Sequence, residues 1–215
     1  MSRWIPALLL GLLAWMAELA LPALQRRAPR WGRLPLEIGG PVLAGPLPLG
    51  LALWAGWISL REVGLVGPLR LAPGTLFGWP PADWIRGLGL AGLYGGLTLF
   101  ALWSAGLWKP RPVQWSGRLE EAFIALTREA LLALGRAILI ATLFPQNPLP
   151  AAWAAFGIWW GAWRGLERYL RMEQGPEIWG SALTATALFG LTGHLWLSAA
   201  THALMAGLLS RSNRQ

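Results

Sequence analysis

The sequence predicts an all-α fold, a polytopic membrane helix bundle of about seven transmembrane helices, and three observations carry that prediction. Apolar residues make up 55% of the 215-residue chain and charged residues only 13%, about half of the roughly 25% typical of soluble domains. Too few ionised side chains remain to cover a water-exposed globule, and mean hydropathy is positive. Seven apolar runs lie between charged or proline-rich punctuation, most of them near the ~20 residues that a helix needs to cross a bilayer. The 16 tryptophans suit the headgroup boundary, where one edge of an indole meets hydrocarbon and the other donates a hydrogen bond.

Each element follows from its run. The first extends from about Ile5 to Leu24, broken only by Glu18; the second, about Ile38 to Leu60, is punctuated by Pro41, Pro46 and Pro48. The third, about Ile85 to Trp108, holds Gly87, Gly89, Gly92, Gly95 and Gly96, a small-residue string that permits close helix contact. The fourth lies within about Ala122 to Phe144, the fifth runs from about Ala151 to Leu166, and the last two, about Ile178 to Leu191 and Leu195 to Leu209, meet at Thr192-Gly193. The first run is too long and its leading segment too weakly basic for a cleaved signal peptide, so it reads as an anchor.

One integral membrane domain over residues 1–215 is expected, with N-terminal spans in 1–110, a core in 117–210 and no soluble domain. No internal repeat is evident, and Pro68 to Pro81 reads as a surface loop. Basic residues set the orientation. Arg26, Arg27, Arg30, Arg33, Lys109, Arg111, Arg118, Arg164, Arg168, Arg171, Arg211 and Arg214 fall on one side, against Arg3, Arg61, Arg70 and Arg86 on the other. The C-terminus is therefore expected in the cytoplasm, in a bacterial inner or thylakoid-type membrane. Should the proline-rich second segment be a re-entrant or broken helix, every later assignment inverts. The net charge of +8 fits anionic headgroups. The expected partners are the lipid bilayer and other membrane proteins, with no nucleic acid. The absence of cysteine removes disulfides, thiolate catalysis and cysteine-ligated metals.

An ionisable residue within a span costs a few kcal/mol even on lenient insertion scales, so each asks for a reason. The fourth run holds most of them: Glu120 and Glu121 at its entrance, then Arg128, Glu129 and Arg136. Glu121 to Arg128 and Glu129 to Arg136 are each seven residues apart, two helical turns, so each pair shares a face. Direct pairing is more natural at three or four residues, so partners on neighbouring helices are expected. These groups form either a polar site with a carboxylate that activates water or charge neutralisation between packed helices. Glu18 has the same two readings. His194 and His202 are the only histidines; each is a candidate base or axial ligand to a haem or pigment, or a hydrogen-bonded residue at a helix contact. With no HExxH and no Asp/His cluster, no metal site is expected, and the sequence requires no cofactor. Trp153, Phe156, Trp159, Trp160 and Trp163 have helical spacing. They read as a packed or lipid-facing helix, or as a surface for a pigment, quinone or lipid tail.

The segment Phe189-Gly190-Leu191-Thr192-Gly193-His194-Leu195-Trp196-Leu197-Ser198-Ala199-Ala200-Thr201-His202-Ala203-Leu204 resembles the closing pattern of the CPBP family, the CAAX-protease and bacteriocin-processing (Abi) membrane proteins. Ser59-Leu60-Arg61-Glu62-Val63-Gly64-Leu65 is similar to a segment the family places before its core helices, so the resemblance covers roughly 59–209. It implies a glutamic intramembrane endopeptidase fold, in which EExxxR, FxxxH and HxxxN motifs prepare water for peptide attack. Here Ala125 stands where an arginine would follow Glu120-Glu121; aligning Arg128-Glu129 instead puts Ala133 at that place. Trp160 replaces the histidine after Phe156, and Ala206 replaces the asparagine after His202. Trp160 cannot accept a proton as imidazole does, and the Ala206 side chain neither donates nor accepts a hydrogen bond.

The expectation is therefore a non-catalytic CPBP-like membrane protein, an accessory subunit or assembly factor of a larger membrane complex, its former water-splitting pocket filled by indole and methyl groups. A divergent endopeptidase using Glu120, Glu121 or Glu129 with His202, and a pigment- or haem-binding subunit using His194 or His202, are the alternatives.

Overall fold

The computed structural model describes residues 4–65, 75–76, 79–107, 115–145, 147–170 and 176–209. Their regular elements are all helices, joined by turns and loops, with one isolated bridge between Leu76 and Trp79. The helices are α1 (Trp4–Arg27), α2 (Arg30–Ala44), α3 (Pro46–Trp54), α4 (Leu60–Val63), α5 (Pro81–Ser104), α6 (Trp115–Thr142), α7 (Pro148–Leu170), α8 (Pro176–Thr192) and α9 (Leu195–Leu209). Proline opens α3, α5, α7 and α8, where its fixed φ is pre-set for a helix and its missing N–H is not needed. Arg3, Arg70, Lys109, Arg111, Arg171, Arg211 and Arg214, the side chains of Arg26, Arg30, Arg33 and Arg168, and most of the Pro68–Pro81 loop lie outside the described residues.

Among the described residues, three stretches are long and apolar enough to cross a membrane: Trp4–Leu21, Leu36–Trp54 and Pro81–Ser104. The second of these is not one regular helix. It breaks at Gly45, where a Cβ would overlap the Thr127 carbonyl of α6, so glycine there lets the α2–α3 joint lie directly on the α6 backbone. The expected single element over 38–60 is thus two helices and a turn, followed by the short α4. Ser59 caps α4 reciprocally: its hydroxyl accepts from the Glu62 N–H while Glu62 accepts from the Ser59 N–H. Gly64 ends α4 at φ +80, a conformation that a Cβ would strain. Its carbonyl accepts from the Leu195 N–H and so ties α4 to the start of α9.

α6 is the axis of the bundle, packing against α9, α7, α1, α2, α3 and α4. Its buried Ala133, Leu134, Ala137 and Ile138 form one apolar core with Leu49, Val63, Phe189 and Leu195, while Leu131 and Leu132 form another with Phe156, Trp159, Trp163 and Ala182. Of the glycine string on α5, Gly87 packs on Leu197 and Gly95 on Met205, whereas Gly89, Gly92 and Gly96 have open space before them. The outside of the molecule is also apolar: Leu9, Leu13 and Met16 on α1 and Ile85, Leu88, Phe100 and Trp103 on α5 are exposed.

Candidate functional site: a buried carboxylate between two helices

The α6–α9 interface encloses the most concentrated polar group among the described residues. Glu129 and Arg136 project from one face of α6, two turns apart; Ser198 and His202 project from one face of α9, one turn apart. Glu129 is 0% exposed, and Arg136, Ser198 and His202 are each at or below 1%. Glu129 Oε1 accepts from Arg136 Nη2 at 2.5 Å and from Ser198 Oγ at 2.9 Å. Glu129 Oε2 lies 3.0 Å from His202 Nδ1; an ionised carboxylate only accepts, which places the proton of that bond on the imidazole. Arg136 Nε and Nη1 are buried with no hydrogen-bond partner among the described residues. The guanidinium carbon sits 3.9 Å over the centre of the Phe189 ring, which compensates part of the charge through the ring's negative face.

A seven-residue spacing therefore does support a direct pair: the long Arg136 side chain reaches back over two turns, where partners from neighbouring helices were expected. The other arginine follows that expectation. Arg128 Nε donates to Glu18 Oε1 of α1 at 3.1 Å, and Trp159 Nε1 of α7 donates to Glu18 Oε2 at 3.3 Å. The other two candidate glutamates, Glu120 and Glu121, stand apart from this cluster. Glu120 is exposed and Glu121 half-buried, and eight or nine residues separate them from Glu129, about 12–14 Å along the helix.

His194 has a structural place. It precedes α9 and its Nδ1 accepts from the Leu197 N–H at 3.3 Å, the bond of an N-cap. Trp79 stacks on its ring and Trp84 meets it edge-on, both with centroids 4.4 Å away. Burial pushes its pKa down to about 4, opposed in part by the Asp83 carboxylate. A pigment or haem would need an imidazole open to a macrocycle, and this one is enclosed by two indoles. Among the described residues no group of three or more His, Cys, Asp or Glu is placed to hold a metal ion.

Trp160, read as the residue standing in a histidine's place, is 42% exposed on the outer side of α7, with Arg164 over its ring and Trp179 edge-on to it. It does not fill a hollow beside Glu129; the indoles that turn inward on that helix are Trp159 and Trp163. Ala206 lies half-buried one turn beyond His202. Ser198 was not singled out from the sequence, although its position four residues before His202 was a readable signal of a shared face. Searches against protein-family models, curated proteins and solved structures found no match for this chain.

Proposed function

We propose that the chain is an integral membrane protein of about seven passes, with a CPBP-like core whose polar centre is structural, and that it serves as an accessory subunit or assembly factor of a larger membrane complex. The membrane part is supported by α1 and α5. Their apolar windows are only 17% and 11% buried, and a helix that is apolar on its outward face must meet lipid or a partner rather than water. On this reading the α2–α3 segment crosses despite its break at Gly45, α6, α7, α8 and α9 complete the crossings, and the C-terminus faces the cytoplasm of a bacterial inner or thylakoid-type membrane.

The observation that carries the non-catalytic reading is the enclosure of Glu129. Three protein groups occupy its two oxygens and no surface of it is exposed, so water activation would require the interface to open. The two described cavities are lined by other residues. A protein with so little extramembrane mass offers its binding surface within the bilayer or at its edge. Gentle purification from native membranes without crosslinking tests this: the chain is expected in a larger assembly, and recovery always as an isolated chain defeats the proposal.

One observation favours a second reading, a divergent glutamic endopeptidase: the contact between Glu129 and His202 joins a carboxylate to an imidazole, as general-base chemistry requires. Cleavage of membrane-embedded peptides that disappears in both Glu129→Gln and His202→Ala, with the variants still folded, would establish it in place of the first.

A further inference from the structure

Two cavities flank α6, one beyond the other along α1, α6 and α7. The first, of about 100 Å³, has several times the room that one water needs. It is bordered by Glu18 and Gln25 on α1, Glu37 on α2, Glu120 and Arg128 on α6, and Trp163 on α7. The second, of about 200 Å³, is an apolar groove bordered by Leu8, Leu12 and Trp15 on α1, by Leu139 and others on α6, and by Ile158 and Trp159 on α7. Leu131 borders both, and Trp159, in the groove wall, donates to Glu18, in the cavity wall. Toward the C-terminal end of α6 and the N-terminal ends of α1 and α7, polar lining gives way to apolar lining. From Leu131 to Leu139 the groove follows α6 for about 12 Å, most of the roughly 15 Å thickness of one leaflet's hydrocarbon.

We infer that this composite cleft binds one glycerophospholipid with a zwitterionic, amine-bearing headgroup, its headgroup in the polar cavity and an acyl chain in the groove. Both signs of charge in the headgroup have partners. Trp163 is 1% exposed, borders the cavity and has its Nε1 buried without a partner among the described residues; with the Arg128 guanidinium it offers donors to a phosphate or ester oxygen. The exposed Glu37 carboxylate, on α2 at the border of the cavity, suits an ammonium group. An anionic headgroup without an amine meets three carboxylates against one guanidinium among these described lining residues. The inference rests on the chain lying in a bilayer.

The test places the full chain in nanodiscs of equal phosphatidylethanolamine and phosphatidylglycerol and counts, by native mass spectrometry, the lipid retained on release. One retained phosphatidylethanolamine per chain is expected, favoured roughly tenfold, the ratio that about 1.4 kcal/mol of differential contact produces. Glu37→Gln, at an exposed position, is expected to bring the two lipids toward parity, and Leu12→Phe with Ile158→Phe to lower retention of both by filling the groove. Equal retention by the native chain, retention unchanged by the filled groove, or a photo-crosslink from position 12 to a protein helix overturns the inference. Should the double variant fail to fold, the Glu37→Gln comparison decides alone. Release of the chain from membranes by alkaline carbonate would instead remove the membrane reading beneath it.

Discussion

Replacing Glu129 by glutamine keeps the shape of the side chain and removes its charge, leaving the guanidinium of Arg136 buried at 1% exposure with a neutral amide oxygen and the Phe189 ring in place of its carboxylate. Breaking a buried pair from one side costs about 3–5 kcal/mol, because the surviving charge is uncompensated. For a chain of this size that corresponds to a fall in Tm of roughly 6–20 °C. Adding Arg136→Met removes the stranded charge and fills similar volume, so the double variant is expected to regain most of the loss. Ser198→Ala removes one bond to a charged acceptor and is expected to cost about 1.5–3 kcal/mol, placing it between the native chain and Glu129→Gln. Thermal melts in one detergent, completed as a double-mutant cycle, measure the coupling between the two charged residues. A Glu129→Gln variant as stable as the native chain, or a double variant no better than the single, would show that the geometry described does not hold.

Gly87→Leu is expected to cost about 1–3 kcal/mol, since a Cβ there meets Leu197 and extra methylenes overfill a packed contact. Gly89→Ala, in open space on the same helix, should be neutral or stabilise by up to about 1 kcal/mol; equal effects at both sites would refute the assignment of which face of α5 packs. Ser59→Ala loses the reciprocal cap of α4 and is expected to cost about 1 kcal/mol, read as a shift in Tm that Ser59→Asp largely restores. His194 gives the pH dependence: its folded pKa, about 4, lies below the ordinary 6.5, so the unfolded chain takes the proton first. Its stabilising contribution is complete above about pH 6.5 and is lost as pH falls toward 4. His194→Asn keeps an N-cap acceptor and removes the titration, so its Tm should vary less over that window than that of the native chain; parallel curves would refute the role given to His194.

The apolar runs were legible because lipid and a helix core ask for the same thing, long stretches without charge, and each expected run contains a helix. The junction at Thr192-Gly193 was legible for a local reason, a residue that holds φ +66 at the end of α8. What the sequence concealed was rotational phase and tertiary approach. Five glycines on α5 looked alike, yet only Gly87 and Gly95 meet α9. Trp159 and Trp160 are neighbours in sequence and about 100° apart on a helix, which puts one against Glu18 and the other outside. The break at Gly45 was hidden because its cause lies on another helix, at the Thr127 carbonyl. Arg128, Glu129 and Arg136 stood out as ionisable residues in an apolar run, but their pairing depended on where α1 and α9 stand.

The ion pairs Arg128–Glu18 and Arg136–Glu129 give that placement a physical purpose. Arg128 is held by Glu18 of α1, while Glu129 and Arg136 are closed by Ser198 and His202 of α9, so charges fix α6 to a different neighbour in each direction. Apolar contacts among alanine and leucine tolerate a slide or rotation, because one methyl group packs much like the next. A slip of one residue along α6 turns its side chains by about 100° and moves them 1.5 Å, which would leave buried charges of both signs without their partners at about 3–5 kcal/mol for each broken pair. The register of the bundle therefore rests on a few polar atoms, while its cohesion rests on many apolar ones. On the proposed reading such a division suits a subunit whose outward faces must hold a fixed shape for partners. It also makes the carboxylate at the α6–α9 interface valuable to the chain whether or not it ever meets a substrate.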